Sequence, residues 1–332
     1  MSQTDHIWAM ILAAGDGTRL RDLSGDADGG VIPKQYCTLH GGPTLLENTL
    51  RRAQSFAALE HISVVVAEQH RALWQRDLLA LPGANIVVQP RNRGSGNGVL
   101  LQLLQVCRRD PEALVVLLPS DHFVAAEAVL ARALQAALAT VRAAPQQIVM
   151  LGMRPAHADP QLGYIIPATL AAAGATPVAG FVEKPAAPLA RQLIARGALW
   201  NAFILVFSAP TLLRIYAQRM PGVLGAMRSA LADPLDPARQ LAALYERLPS
   251  IDFSRDLLAE SATLPLRVLP VAECGWNDLG TPECVARVLA HMQEEPSVPA
   301  WIHETGMPVN LAANFHSAVR SPWLAPRAVV HS

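Results

Sequence analysis

The apolar positions of the chain fall into short unbroken runs separated by longer stretches with helical spacing. Residues 7–15 (IWAMILAAG), 61–68 (HISVVVAE), 85–90 (NIVVQP), 113–121 (ALVVLLPSD) and 148–153 (IVMLGM) predict buried strands. Between them, residues 43–56 place Leu46, Thr49, Leu50 and Ala53 on one helical face, and residues 70–81, 98–110 and 125–144 predict three more helices. This alternation predicts an α/β fold: a Rossmann-like, mainly parallel mixed sheet flanked by helices. The rhythm then changes. Three strand-like pieces within 163–210 are split by one helix (APLARQLIARG), a helical stretch runs from about 208 to 260, and a strand at 263–273 leads through CGWNDLG into a last helix. One body over 1–292 and a Pro-rich, weakly patterned extension over 293–332 is the simplest division.

Composition narrows the classes. Apolar residues make up 51% of the 332, enough for a large core, and 27 basic residues balance 27 acidic ones. That balance gives no general reason to expect a nucleic-acid partner, which usually needs a basic face. Cys37, Cys107, Cys274 and Cys284 form no C-x-x-C pair, which fits a reducing compartment rather than a disulfide framework. No run has the length of a membrane span and the start lacks a basic leader, so a cytoplasmic location with no membrane partner is expected. A homo-oligomer is compatible with all of this.

The candidate chemistry begins where the first strand ends. In open α/β sheets ligands bind at the carboxyl ends of strands. There, Ala14-Gly15-Asp16-Gly17-Thr18-Arg19 offers unhindered backbone N–H groups, a hydroxyl and a guanidinium, a set suited to a phosphate. It is neither a P-loop nor a dinucleotide fingerprint, and a plain tight turn is an equal alternative on these residues alone. Pro33-Lys34-Gln35-Tyr36 follows a polar loop and could return a second cation to the same anion. Asp121 ends the strand LLPSD and Asp278 sits in GWNDLG. Each could hold Mg²⁺, with a helix cap as the alternative, which Asp121 taken alone favours. Glu183-Lys184 in FVEKP could be a surface ion pair, and Trp200-Asn201 a core residue followed by a turn. His122 is expected to be structural.

Together these pieces resemble the sugar-phosphate nucleotidyltransferase family over about 1–290. The family loop G-G/A-x-G-T-R-L followed by P-K is matched by LAAGDGTRL and PKQY, a form also similar to cytidylyltransferases of methylerythritol phosphate. The mannose-1-phosphate guanylyltransferase branch is the most similar. Its R-N-T-A-P-A, P-A-D-H, F-x-E-K-P, W-N-S-G-M and W-x-D-x-G are met in order by RNRGSGN, PSDH, FVEKP, WNAFI and WNDLG. Departures are Arg21-Asp22 and the GDADGG loop, Arg93-Gly94-Ser95 in the third motif, and Ala202-Phe203 where the family has Ser-Gly.

The resemblance implies the nucleotide-diphospho-sugar transferase fold and an Mg²⁺-dependent transfer from an NTP, GTP favoured, to a sugar 1-phosphate, mannose 1-phosphate favoured, releasing pyrophosphate. It implies that Arg19 holds the β/γ-phosphates, that Lys34 acts at the α-phosphate, and that Asp121 and Asp278 hold the metal. Ala14, Gly15, Gly17, Thr18, Gln89 and Gly96 would line the nucleotide site. Gly163, Glu183, Lys184 and Asn201 would line the sugar site. A catalytically silent nucleotide-sugar-binding relative, or a transferase acting on a non-hexose phosphate, are the alternatives.

Overall fold

The computed structural model describes residues 6–17, 31–169, 174–258 and 264–294. Thr18, Arg19, Arg21, Asp22, the GDADGG loop and the extension from 295 onward lie outside the described residues.

The first half is built as the alternation predicts. β1 (Ile7–Ala13), α1 (Leu45–Gln54), β2 (Ile62–Ala67), α2 (Arg71–Asp77), β3 (Ile86–Gln89), α3 (Ser95–Arg109), β4 (Leu114–Pro119), α4 (Glu127–Ala143) and β5 (Ile148–Met153) follow in order. Thr44 opens α1 with a capping box, its hydroxyl accepting from the Glu47 N–H while the Glu47 carboxylate accepts from the Thr44 N–H. The second half adds β6 (Tyr164–Pro167), β7 (Thr176–Val182), α5 (Ala187–Ala195), β8 (Leu199–Ser208), α6 (Ala209–Arg219), α7 (Pro221–Leu231), α8 (Pro237–Arg247), a π-helical turn (Phe253–Leu258), β9 (Leu266–Val271) and α9 (Pro282–Glu294).

The strands form one mixed sheet in the order β3-β2-β1-β4-β8-β5-β9-β7-β6, with β6 also meeting β8. β3, β2, β1 and β4 run parallel, as does β9 beside β5. β8 enters between β4 and β5, antiparallel to both. It can do so because it is largely apolar and buried on both faces, the pattern of a strand covered on both sides.

Alternate residues of each central strand feed two cores. Ile7, Ala9 and Ile11 of β1 pack with α4 residues such as Leu130, Leu134 and Leu138. Trp8 and Met10 point the other way, against Val99, Leu100 and Leu103 of α3. Complete burial of a side chain such as Met10 contributes about 1.5–3 kcal/mol. A third, smaller cluster joins Cys37, Leu39 and Leu45 to Leu279, Val285 and Val288. It seats α9 against the segment after Lys34, and so brings two distant loops together. Among the described residues no helix is long and apolar enough to cross a membrane.

Candidate active site

The loop after β1 and the Pro-Lys-Gln-Tyr segment are packed into one unit. Gln35 Nε2 donates to the carbonyls of Ala13 (3.1 Å) and Gly15 (2.8 Å), and the Tyr36 hydroxyl donates to Ala13 O at 3.1 Å. Gly17 has φ +62°, and a Cβ there would lie 2.7 Å from the Lys34 backbone nitrogen. Glycine is therefore required by the approach of the second loop as well as by the turn. Asp16 is tied outward, accepting from Gln69 Nε2 (2.6 Å) and Asn92 Nδ2 (2.9 Å).

Lys34 is only 4% exposed and lies in a short 3-10 turn, Lys34–Tyr36. Its ammonium pairs with Asp121 Oδ2 at 2.9 Å and donates to the backbone carbonyl of Asp278. The two aspartates reach the same lysine because the loops after β4 and β9 are stitched together. Phe123 N donates to Asn277 O at 2.9 Å, and Asn277 N donates to Phe123 O at 3.0 Å. Trp276 Nε1 donates to His122 Nδ1 at 3.2 Å, and burial pushes the His122 imidazole down to about 4, so it is neutral at pH 7. Asp278 Oδ1 accepts from Gly280 N at 3.0 Å, the capping geometry its turn position suggested.

Beside this cluster a cavity of about 320 Å³ is lined by Ala14, Gly15, Gln89, Ser120, Asp121 and Asp252, among others. Gln89 is buried and its Oε1 accepts from the Tyr245 hydroxyl at 3.2 Å. Gly94 and Gly98 also line the cavity, whereas Gly96 is turned to the protein: its N–H donates to Ile251 O at 2.8 Å and its carbonyl accepts from the Tyr216 hydroxyl. Larger cavities of about 700 and 520 Å³ lie beside α7 and α8 and at the opposite end of the sheet, and none of the sequence-predicted residues lines them.

Gly163, Glu183, Lys184 and Asn201 form a second group. Asn201 N donates to Gly163 O at 2.8 Å, and a Cβ on Gly163 would stand 2.6 Å from Glu183 Oε2. Burial, and next the charge of Asp252, hold the Glu183 carboxyl above the ordinary glutamate value, against the opposing pull of Lys184 and Arg255. Lys184 Nζ is 3.9 Å from Glu183 Oε1 and more than half exposed. The Asn201 Oδ1 accepts from Phe203 N at 3.0 Å.

Asp252 is the residue that sequence reading passed over. It lines the cavity and is close enough to Glu183 to raise its proton affinity, so it stands where the two groups meet. Its only sequence signal is Pro249-Ser250-Ile251-Asp252, a break in the helical pattern after α8. The break matters because this segment packs against residues 93–97. Ile251 N donates to Arg93 O at 3.0 Å, Asn97 Nδ2 to Pro249 O at 2.9 Å, and Phe253 N to Ser95 Oγ at 2.9 Å.

For Mg²⁺ the donor set is adequate. That ion takes one or two carboxylates and fills its shell with substrate phosphate oxygens and water, so no three-ligand protein cluster is needed, and none occurs among the described residues. Asp121, on the cavity wall with its side chain 30% exposed, fits that requirement; Asp278 faces Lys34 with its backbone carbonyl, while its buried carboxylate caps Gly280 N.

A mixed sheet of this order, with a glycine loop, a buried lysine and two aspartates in loops beyond the carboxyl ends of its strands, is an α/β fold of the nucleotide-binding type. The family model described as Nucleotidyl transferase matches residues 8–295, and the chain belongs to that family. It is 32% identical over 284 residues to the xanthan biosynthesis protein XanB of Xanthomonas campestris pv. campestris strain B100, covering 82% of this chain and 57% of the relative. It is 28% identical over 299 residues to the mannose-1-phosphate guanylyltransferase of Escherichia coli K12, covering 87% and 61%. The chain thus spans less than two thirds of the length of these relatives. Among solved structures, one titled mannose-1-phosphate geranyltransferase from Thermus thermophilus superposes with a TM-score of 0.75 at 27% identity, covering 86% of this chain and 79% of that one.

Proposed function

We propose that the chain transfers a nucleotidyl group from an NTP, GTP favoured, to a sugar 1-phosphate, mannose 1-phosphate favoured, forming an NDP-sugar and releasing pyrophosphate. The observation that carries this reading is Lys34, buried beside the cavity, with Asp121 of the cavity wall on one side and the Asp278 carbonyl on the other.

The nucleophile is the phosphate of the sugar 1-phosphate. With a second pKa near about 6 it is largely dianionic at pH 7 and needs no general base. The neutral His122 agrees with that, being engaged by Trp276 rather than aimed as a base. The barrier is the approach of two anions. Lys34 would screen the α-phosphorus, and Lys184, exposed and at the mouth of the sugar group, would hold the acceptor's phosphate. Glu183 would accept hydrogen bonds from sugar hydroxyls, with Gly163 leaving the space for it. Asn201 would close the sugar pocket, Gln89 and the 91–98 segment would read the base, and the N–H groups of the Gly15–Gly17 loop, with Thr18 and Arg19 beyond it, would bind the triphosphate. Mg²⁺ held by Asp121 and Asp278 would supply charge neutralisation for the phosphates when bound. In-line alignment of acceptor and α-phosphorus provides much of the remaining acceleration.

The test is pyrophosphate release with Mg²⁺, crossing the four common NTPs with mannose-, glucose- and other sugar 1-phosphates. The expected result is turnover of one pair and loss of it in Asp121→Ala. Binding of the same ligands without turnover by any pair would overturn the reading in favour of a silent relative.

A further inference from the structure

β8 contains a conformation that aromatic residues rarely adopt. Met150 pairs with Leu205, so regular antiparallel register would set Gly152 opposite Phe203, yet Gly152 pairs with Asn201. β8 therefore carries two extra residues at this point. The bulge is absorbed at Phe203, whose φ is +56°, in the left-handed region. Bulky side chains are outliers there, and the family motif that the chain resembles has glycine at this position. A strained residue persists where its surroundings over-determine it.

What surrounds Phe203 is the turn after α8. Its ring lies 5.7 Å from that of Phe253 at 58°, a tilted contact of the kind aromatic pairs prefer. Phe253 is fully buried and follows Asp252, the residue shared by the cavity and the Glu183 group. On the strand side, the Phe203 N–H fixes the Asn201 amide, whose Nδ2 reaches 3.5 Å towards Ser254 Oγ. Phe203 thus touches both the strand that carries Asn201 and the turn that carries Asp252.

We propose that Phe203 is a positioning residue: its ring clamps the Asp252 turn onto the β8 bulge and so sets the spacing between the nucleotide cavity and the sugar-binding group, as the function proposed above assigns them. A filler role does not account for it, since glycine would hold the same backbone without strain, and a leucine or methionine would fill the same space.

The experiment compares wild type, Phe203→Gly, Phe203→Leu and Phe203→Tyr in the full chain, by amide hydrogen exchange and steady-state kinetics. In Phe203→Gly, exchange across residues 250–256 should rise about tenfold, equivalent to about 1.4 kcal/mol of local opening, while β1 and β4 keep their protection. The KM for the sugar 1-phosphate should rise by a similar factor, with kcat changed less than about twofold. Tyrosine should restore both properties and leucine neither. Unchanged exchange over 250–256, a loss of protection spread over the sheet, or a leucine variant equal to wild type would each overturn the proposal. The exchange result is independent of catalysis. If no NTP and sugar 1-phosphate pair is turned over by wild type, the functional reading fails, and exchange alone upholds or overturns the clamp.

Discussion

Lys34 and Asp121 form a 2.9 Å ion pair in which the lysine side chain is 5% exposed and the aspartate side chain 30% exposed. The asymmetry decides what the pair is for. The cation is held inside the protein, while the carboxylate keeps a face on the cavity.

Replacing Lys34 by methionine keeps the packing of its stem and removes only the charge. We expect kcat to fall by about 10²–10³, the loss typical of one aimed donor, with the fold retained. Stopped-time pyrophosphate assays with circular dichroism on the same samples check this. Wild-type kcat in the variant would remove Lys34 from the chemistry.

Gly163→Ala would drive a methyl group to 2.6 Å from Glu183 Oε2 and 2.9 Å from the Phe181 ring. The carboxylate end is the easier to displace, so the effect should fall on substrate rather than on stability. We expect the KM for the sugar 1-phosphate to rise about tenfold with the KM for the NTP unchanged. Equal changes in both constants would place Gly163 outside the sugar group.

Gly94→Ala should act on stability instead. The residue has φ +83°, and a Cβ would stand 2.3 Å from the Ile251 carbonyl oxygen. Backbone cannot yield as a side-chain tip can, so a loss of more than about 2 kcal/mol is expected in urea titrations. A midpoint within error of wild type would show that the 249–253 segment is not seated as described.

Glu183 gives a pH dependence. Burial, followed by the charge of Asp252, raises its pKa, so the folded chain binds this proton more tightly than the unfolded chain. Its contribution to stability is complete below the unfolded value and is lost as pH rises through the folded value. Relative to Glu183→Gln, wild type should therefore lose stability across the window from the ordinary glutamate value up to the raised one, and stay level above it. Asp252→Asn should move the upper edge of that window down. Urea unfolding at a series of pH values measures both, and an increase of wild-type stability across the window would contradict the assignment.

Local chemistry was the legible part of this chain. The strands up to β5 were readable because each is an unbroken apolar run bounded by polar residues; Gly15 and Asp121 stood out as candidates because strand ends are where open α/β sheets place their ligands, and Lys34, Glu183 and Asp278 only through motifs that resemble the family's. The position of β8 was not readable. Strand order is set by long-range pairing, and nothing within Leu199–Ser208 says that it enters between β4 and β5. Asp252 was hidden for a related reason: it sits just before a π-helical turn whose only sequence mark is a proline and a lost period. Gly96 shows the limit within a motif: Gly94, Gly96 and Gly98 are equally permissive as letters, and only the folded structure shows that Gly94 and Gly98 line the cavity while Gly96 gives its N–H to Ile251 O and its carbonyl to the Tyr216 hydroxyl.

The bridge between Phe123 and Asn277 has a consequence for how the chain is assembled. β4 and β9 are separated in the sheet by β8 and β5, so this short pairing closes a ring over the ends of two intervening strands. Lys34 meets Asp278 across 244 residues of sequence. Contacts of such separation form late, after the loop entropy they must overcome has been reduced by the rest of the sheet. A chain that ends before β9 lacks the Asp278 carbonyl that holds Lys34 from the other side, and with it the Leu279, Val285 and Val288 side chains that seat the segment after Lys34. Completion of the candidate site thus depends on completion of the fold.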